Sequence, residues 1–422
     1  MSWTHFPGIR EPAEVLAELE RKRKCREDYV LPSSRIALSS VDKTLKLTVL
    51  PEENREFVEV PMTNRALAQL FDLVGLPQRT RCAQWLMKNV AGFKRNKEPT
   101  ADENHDLLCN LVTAFFSRLN FNRLVRLTRD AKDRRYCRAI LSNRYRIVDS
   151  YDLFFAILEE LSKIELGGKH PEIWGARLSE DHFYGYAVAP GITAQVASGK
   201  KSKGELWKGM EGDAYNAAIV FGNSETGSGG ISIRHAVVRK VSRSYTVGAD
   251  LVSERHVGGK LEADADLSSL TIQQWNKAFF SEIKDHVRNA FDPDRFQAMI
   301  DRLNGAAQEE VEDGVTAVDA LQVCYDLSDA TKTKIRNMFF KGGNLTRYGL
   351  ITAVAEAAGS DVGAEEGSSL EQVSADLTQK GMADVYKHAA TNRESKAPKG
   401  VDLSAAAKKP VRRRRRRAEP VA

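Results

Sequence analysis

Residues Arg123–Leu161 read RLVRLTRDAKDRRYCRAILSNRYRIVDSYDLFFAILEEL, and this stretch predicts two strands followed by a helix. Apolar residues alternate with arginine or polar residues on both sides of the charged turn Asp130–Arg134, as in two paired strands. Beyond the second strand the spacing becomes helical, with Phe154, Leu158 and Leu161 on one face. A chain that places strands and helices in blocks favours an α+β fold over a doubly wound sheet.

Further strands and helices are predicted on both sides of this stretch. Alternation predicts a three-stranded meander between Arg35 and Pro61, and four more strands between residues 173 and 243. Thr63 is the expected N-cap of the next helix, His105–Leu119 is an amphipathic helix, and helices continue from Thr271.

The predicted architecture is an antiparallel or mixed sheet with packed helices, followed by a helical C-terminal region and a disordered basic tail. The predicted segments are a charged N-terminal helix or arm at 1–34, an α+β core at 35–266, a helical region at 267–358, and a disordered linker and tail at 359–422.

Charge is strongly segregated along the chain. The 422 residues carry a formal net charge of +6, which the six adjacent residues Arg412–Arg417 can supply alone. The segment Arg118–Arg146 holds ten basic residues against two acidic ones, whereas Glu262–Ala330 holds fifteen acidic residues against five basic ones. This pattern predicts a dipolar surface, or two regions that pair with each other. Nine of the ten central bases are arginine, which suits bidentate contact with phosphate.

The arginine-rich strand pair is the predicted nucleic-acid-binding surface, with tyrosines available to stack on bases. Alternation places Arg123 and Arg129 on one face of the first strand, Arg126 on the other, and Tyr136 with Arg138 on one face of the second. The candidate residues are Arg118, Arg123, Arg126, Arg129, Arg134, Arg135, Tyr136, Arg138, Arg144, Tyr145 and Arg146, together with Arg412, Arg413, Arg414, Arg415, Arg416 and Arg417. The alternative is that the central arginines are solvated, or pair with the acidic helical block.

Catalytic and metal-binding motifs are not found in the sequence. It contains no phosphate-binding P-loop, dinucleotide fingerprint, zinc-protease pair or Gly-x-Ser-x-Gly element, and its eight histidines lie far apart. No catalytic residue, metal or cofactor is therefore predicted. The loop Gly222–Gly230 could cradle a phosphate, but a mobile hairpin loop is the favoured interpretation. Five scattered cysteines suit reduced thiols in a cytoplasm, and no apolar stretch is long enough to span a membrane.

Four pieces of the chain carry a family resemblance. They are TNRALAQLFDLVGLP at 63–77, YCRAILSNRYRIVDSYDL at 136–153, GSGGISIRHAVVRKV at 227–241 and GGNLTRYGLITAVAEAA at 342–358. Together they resemble the phage- and plasmid-associated proteins catalogued as domain of unknown function nine-three-two. The chain departs from that family at Val241–Tyr245, where members carry a Cys-x-Asn-Gly turn. The resemblance implies a mobile element, a bacterial host cytoplasm and a setting of DNA maintenance or recombination, and it supplies no catalytic residue.

The leading functional prediction is a non-enzymatic nucleic-acid-binding protein of a phage or plasmid, with single-stranded DNA preferred over duplex. An annealing or recombination-accessory role would require a homo-oligomer that lays DNA along a shared groove. One alternative is an assembly protein whose basic block meets the acidic helices of another copy. A further alternative is a metal-dependent nuclease or nucleotide-dependent enzyme whose scattered carboxylates converge in space.

Overall fold

The computed structural model describes residues 6–41, 44–49, 58–73, 101–130, 132–196, 213–240, 244–254, 256, 268–360 and 362–396. The elements of the first part of the chain are β1 (Phe6–Arg10), α1 (Pro12–Lys24), β2 (Glu27–Pro32), a 3-10 turn (Ser33–Arg35), β3 (Ile36–Val41), β4 (Thr44–Val49), β5 (Val58–Pro61), α2 (Asn64–Leu73), α3 (Ala101–Arg118), β6 (Asn122–Arg129) and β7 (Arg135–Ser142).

The elements of the middle of the chain are α4 (Ser150–Leu161), β8 (Glu172–Leu178), β9 (Phe183–Val196), β10 (Asp213–Asn223), β11 (Ile231–Arg239) and β12 (Tyr245–Glu254). Helices complete the described chain, and they are α5 (Ser269–Ala290), α6 (Pro293–Gln308), α7 (Gly314–Tyr325), α8 (Asp329–Gly342), α9 (Arg347–Gly359), α10 (Ala364–Gln379) and α11 (Met382–Lys396).

The strands form antiparallel sheets, so the α+β prediction is confirmed. The largest sheet has six strands in the order β1-β8-β9-β10-β11-β12. A second sheet has the order β2-β6-β7, which confirms the predicted pairing of the two arginine-rich strands. The third sheet, β3-β4-β5, is the meander predicted between Arg35 and Pro61.

The main hydrophobic core joins one face of the six-stranded sheet to the helices that surround it. Ile219 and Phe221 of β10 belong to the same buried cluster as Leu350 of α9 and Leu370 of α10. The predicted boundary at residue 267 therefore does not separate two cores. The prediction that disorder begins at residue 359 is wrong for residues 364–396, because α10 and α11 are helices whose apolar residues enter this core.

A second core lies between the two small sheets and helices α2 and α3. Val125 and Leu127 of β6 and Cys137 and Ile140 of β7 face this core. Thr63 caps α2 as predicted, since its hydroxyl accepts a hydrogen bond from the backbone N–H of Ala66 at 3.1 Å. The opposite face of β6 and β7 carries Arg126 and Arg138, whose side chains contact the β8–β9 turn, the β10–β11 hairpin and the start of α4.

Candidate functional site

Arg126, at the centre of β6, is buried against carboxylates. Its side chain is 1% exposed, and its Nε donates to Asp28 Oδ1 at 2.9 Å. The two terminal nitrogens donate to the carbonyl of Glu225 at 2.8 Å and to Asp149 Oδ1 at 3.3 Å. Burial alone would lower the pKa of this guanidinium, but Asp28 and Asp149 outweigh burial and raise the pKa above its usual value. A permanent positive charge is thus held inside the protein.

Arg138, on β7, has a second set of buried partners. Its Nε donates to Glu180 Oε1 at 2.6 Å, and its Nη1 donates to Glu225 Oε2 at 2.7 Å. The strand register shifts beside it, since Arg126 pairs with Ala139 and Leu127 pairs with Cys137. This shift makes Arg138 the extra residue of a β-bulge, a feature that redirects side chains near functional sites. Arg138 and Ala139 consequently both face away from the second core.

Glu225, in the hairpin between β10 and β11, connects the arginines to helix α4. One carboxylate oxygen accepts from Arg138, and the other accepts from the backbone N–H of Ser150 at 2.7 Å. Burial acts to raise the pKa of Glu225, but the charges of Arg138 and Arg126 outweigh it and hold the pKa well below the usual range. The prediction of a mobile hairpin loop at Gly222–Gly230 is therefore wrong for the first half of the loop, whose residues are buried.

Helix α4 receives its cap from Glu225 and not from the residue at its own N-cap position. Asp149 occupies the N-cap position, but its side chain makes no capping hydrogen bond. Its two carboxylate oxygens bind Arg26 and Arg126 instead. The carboxylate of Glu225 takes over at the helix N-terminus, where a negative charge is favourable.

Lys22 of α1 completes the cluster. Its ammonium group donates to the carbonyl of Ser179 at 2.9 Å and lies 3.7 Å from Glu180 Oε2. Burial lowers the pKa of Lys22. The resulting buried ion network contains four bases and four acids, which are Lys22, Arg26, Arg126, Arg138, Asp28, Asp149, Glu180 and Glu225. Their formal charges cancel.

The two candidate stacking tyrosines are also buried. The hydroxyl of Tyr136 donates to Glu180 Oε2 at 3.1 Å, and that of Tyr145 donates to the carbonyl of Ser224 at 2.7 Å. The Tyr145 ring stacks on His256 with the ring centres 4.7 Å apart. Burial raises the pKa of both phenols. The prediction that these rings face outward to meet bases is wrong for both.

The remaining candidate residues are partly or fully exposed. Arg129 and Arg135 pair with Glu27, Arg134 pairs with Asp130, and their side chains are 29%, 40% and 54% exposed. Arg123 and Arg146 lie over aromatic rings, 3.9 Å from the centre of Phe121 and 5.0 Å from the centre of Phe279. Arg118 and Arg144 are exposed. The six tail arginines, Arg412–Arg417, lie outside the described residues.

Two of the eleven central candidates, Arg126 and Arg138, cannot present a guanidinium to a phosphate in this conformation, because their donors are occupied by buried acceptors. The alternative prediction was that these arginines pair with the acidic block Glu262–Ala330. In the described residues, Arg126 and Arg138 do not pair with that block. Their carboxylate partners come from β2, the start of α4, the β8–β9 turn and the β10–β11 hairpin.

Sequence reasoning missed four of the eight members of the buried ion network entirely, namely Lys22, Arg26, Asp28 and Glu180. Glu225 lay in the noted glycine-rich loop but was given no role. The sequence did carry a signal for a role of Glu225: it is an acidic residue close to an apolar strand, in a loop that has no other charged residue. Two of the pairs join residues that are far apart in sequence, since Asp28 lies 98 positions from Arg126 and Glu225 lies 87 positions from Arg138.

A polar cavity lies beside the same hairpin. Its volume is about 270 Å³, and it is lined by residues that include His182, Asn223, Ser228, Gly229 and Arg234. Ser228 follows Gly227, whose φ of +73° is in the left-handed region that glycine tolerates. The hairpin thus presents Glu225 to the buried ion network and Ser228 to the cavity.

The described part of the chain holds neither a metal-binding cluster nor a membrane-spanning helix. No group of three or more His, Cys, Asp or Glu side chains there is arranged to hold a metal ion. None of the helices in those residues is both long enough and apolar enough to cross a membrane.

No protein-family model, curated protein or solved structure matches the chain. The resemblance to domain of unknown function nine-three-two stays a prediction.

Proposed function

We propose that the protein binds nucleic acid through its arginine tail, as an accessory of DNA recombination, annealing or maintenance in a phage or plasmid. Single-stranded DNA is the preferred ligand, and the bacterial host cytoplasm is the setting. The observation that carries the proposal is the run Arg412–Arg417, which supplies six adjacent positive charges in a chain whose net charge is +6. Such a run cannot pack against itself, and it attracts a polyanion.

The folded part contributes a reduced set of contacts compared with the sequence prediction. Arg126 and Arg138 are already neutralised, and withdrawing either from its acids would leave buried carboxylates unpaired at a cost of about 3 to 5 kcal/mol. The exposed candidates Arg118, Arg134, Arg135 and Arg144 remain available. The ion pairs of Arg134 and Arg135 are at the surface, where such pairs contribute only about 0 to 1 kcal/mol and exchange easily for a phosphate.

The test is the salt dependence of binding to single-stranded DNA, duplex DNA and RNA oligonucleotides of one length. The intact chain is compared with a truncation after Lys409. If all six tail arginines engage phosphates, truncation flattens the slope of log affinity against log salt by roughly 4 to 5 units. A charge-matched variant with lysine at positions 412–417 should keep the slope. Equal slopes for the intact and truncated chains would refute the proposal.

A role in annealing also needs several copies on one strand, and helix α3 offers a surface for such contact. Leu111 and Phe115 lie one turn apart on α3 and are each 44% exposed. Changing both to serine should lower the oligomer mass measured by sedimentation on a DNA-bound sample, without loss of the monomer's thermal stability. An unchanged mass would mean that self-assembly uses another surface, and it would not bear on the proposal that the tail binds DNA.

A further inference from the structure

Three side chains from separate elements form a continuous line of hydrogen bonds that ends beside the polar cavity, which Ser228 and His182 line. Ser228 Oγ, in the β10–β11 hairpin, lies 3.2 Å from His182 Nε2, in the β8–β9 turn. His182 Nδ1 lies 3.4 Å from Glu365 Oε1, in the first turn of α10. Serine, imidazole and carboxylate in this order are the arrangement that activates a serine as a nucleophile.

The carboxylate fixes the proton positions on the ring. Since ionised Glu365 only accepts hydrogen bonds, Nδ1 of His182 carries the proton and Nε2 presents its lone pair to Ser228. The hydrogen bond from His182 lowers the pKa of Glu365 to about 2, against the opposing effect of burial. The carboxylate is therefore ionised at neutral pH, as a positioning group must be.

Neighbouring contacts hold the histidine and the glutamate in place. The hydroxyl of Ser179 donates to Glu365 at 2.7 Å and accepts the backbone N–H of His182 at 3.0 Å. The ring of His182 stacks on Tyr184, with the planes 9° apart and the centres 5.7 Å apart. Gly229 leaves room at the other edge, because a Cβ there would lie 3.3 Å from Nε2. The base thus has one orientation and a fixed support.

The hydroxyl groups behind Ser228 allow it to donate toward His182. Thr226 Oγ1 donates to Asp181 at 2.9 Å, so its proton is engaged elsewhere. Ser224 Oγ lies 2.8 Å from Ser228 Oγ and is a donor in the arrangement that leaves the Ser228 proton for Nε2. In that arrangement the hydroxyls of Ser224, Thr226 and Ser228 each donate one hydrogen bond. The oxygen of Ser228 is the last in this series of hydroxyls and lies beside the cavity.

From this geometry we infer that the cavity is an acyl-transfer site in which Ser228 is the nucleophile, His182 the general base and Glu365 the positioning residue. The substrate class is a small carboxylic ester, for which a cavity of about 270 Å³ has room. Arg234, which also lines the cavity, supplies positive charge for the oxyanion or for an anionic acyl group. This activity goes beyond nucleic-acid binding, and it departs from the expectation of a non-enzymatic protein.

The reaction proceeds in two balanced halves. Ser228 Oγ forms a bond to the carbonyl carbon while its proton passes to His182 Nε2, and the carbon–oxygen bond to the alcohol breaks as that proton passes to the leaving oxygen. Water then adds to the acyl group on Ser228 and gives a proton to His182. The carboxylic acid departs as the proton returns to Oγ.

The test uses the full chain and a fluorescent alkyl fluorophosphonate, which phosphonylates an activated serine with loss of fluoride. Mass spectrometry should locate the label on Ser228. Ser228→Ala should abolish labelling, and His182→Gln should slow it by at least about 100-fold. Ser162→Ala is the matched control, since Ser162 is an exposed serine at the end of α4 and does not line the cavity, and it should label as the intact chain does. Hydrolysis of p-nitrophenyl acetate should follow the same order.

Glu365 gives a second, independent readout. Glu365→Gln should slow labelling, and Glu365→Asp should restore part of the rate, which a purely structural role for this half-exposed side chain would not require. Melting curves for every variant separate lost chemistry from lost folding. The inference is overturned if the intact chain labels no faster than the heat-unfolded chain, if label persists in Ser228→Ala, or if folded His182→Gln labels at the full rate. None of these outcomes bears on DNA binding by the tail.

Discussion

Glu225 Oε2 and Arg138 Nη1 lie 2.7 Å apart in the interior, and this ion pair joins the β10–β11 hairpin to the second strand of the arginine-rich sheet. The same carboxylate caps helix α4 through the N–H of Ser150. One side chain of a glycine-rich loop therefore connects two sheets and a helix. The hairpin is fixed on this side, which also fixes the position of Ser228 a few residues later.

Glu225→Gln isolates the charge of this carboxylate, because the amide oxygen can still accept the Ser150 N–H. The change leaves the buried guanidinium of Arg138 with one carboxylate in place of two. Breaking a buried ion pair by removing one partner costs about 3 to 5 kcal/mol, and we expect a loss of this size in the free energy of unfolding measured with urea. The control is Glu172→Gln, the same change at an exposed position, which should stay within about 0.5 kcal/mol. Equal stabilities for the two variants would contradict the structural role.

The acid sensitivity of the fold should also depend on Glu225. Its pKa is lower in the folded state than the value of about 4.3 expected when unfolded, so the unfolded chain binds more protons in acid. The stabilisation is complete above that unfolded value and is lost as pH falls through the folded pKa. Unfolding measured from pH 7 down to pH 3 should show a steep decline below about pH 4.5 in the intact chain and a shallower one in Glu225→Gln. Parallel curves would show that Glu225 does not carry this dependence.

His256 should make the free energy of unfolding depend on pH in a different range. Burial lowers the pKa of this imidazole from 6.5 to about 4, and the charge of Arg126 acts in the same direction. Between these values the unfolded chain binds the proton and the folded chain does not, so stability falls as pH drops from about 6.5 toward 4, by about 3 kcal/mol in all. His256→Phe keeps an aromatic ring on Tyr145 and removes the titration. Its free energy of unfolding should change less over this window than that of the intact chain, and an equal change would contradict the assignment.

Local pattern was sufficient to predict the secondary structure around these groups. Alternation in β6 and β7 predicted the pairing, and the Thr63 signal predicted the cap of α2. The β-bulge at Arg138 was not visible, because alternation assumes one residue opposite one. The composition of residues 359–396, rich in Ala, Gly and Ser, suggested disorder. In the fold, small residues there permit close packing: a Cβ on Gly367 would lie 2.5 Å from Arg177 Nη1.

The partners of the arginines could not be predicted in the same way. The sequence shows that Arg126 and Arg138 are basic, but their burial depends on acids 23 to 98 positions away. These acids reach the arginines only when the arginine-rich sheet packs against the β8–β9 turn and the β10–β11 hairpin of the six-stranded sheet. In sequence, the segment Arg118–Arg146 has only two acidic residues among ten basic ones. The folded protein brings Asp28, Glu180 and Glu225 to the arginines of this segment. The line from Ser228 to Glu365 was missed for the same reason, since it spans separations of 46 and 183 positions.

The exposed turn of the arginine-rich hairpin should make a small contribution to DNA binding. Arg134→Ala with Arg135→Ala removes two surface charges, so the slope of log affinity against log salt should fall by roughly 1.5 units in single-stranded DNA titrations. Thermal stability should be almost unchanged, because surface ion pairs contribute little. Lys163→Ala with Lys380→Ala changes the charge equally on other exposed elements and should leave the slope as it is. If both double variants behave alike, the hairpin has no special contact with DNA.

Helices α10 and α11 should be essential to the fold, in contrast to the disorder predicted for them. Arg177 of β8 is fully buried and donates to Glu371 of α10 at 2.7 Å, while Leu370, Val373 and Leu377 of the same helix are buried in the main core. A chain ending at residue 359 loses these three apolar side chains, each worth about 1.5 to 3 kcal/mol, and leaves the Arg177 charge uncompensated. That sum is comparable to the whole stability of a domain, about 5 to 15 kcal/mol, so we expect no cooperative melting transition.

A chain ending at residue 396 keeps both helices and should melt as the intact protein does. Glu371→Gln separates the two causes, since it preserves the apolar packing of α10 and removes only the charge beside Arg177. We expect it to lower the melting temperature while keeping a single transition, because one weakened buried pair costs only part of the total stability. A cooperative transition in the chain ending at 359 would mean that α10 covers the core without supporting it.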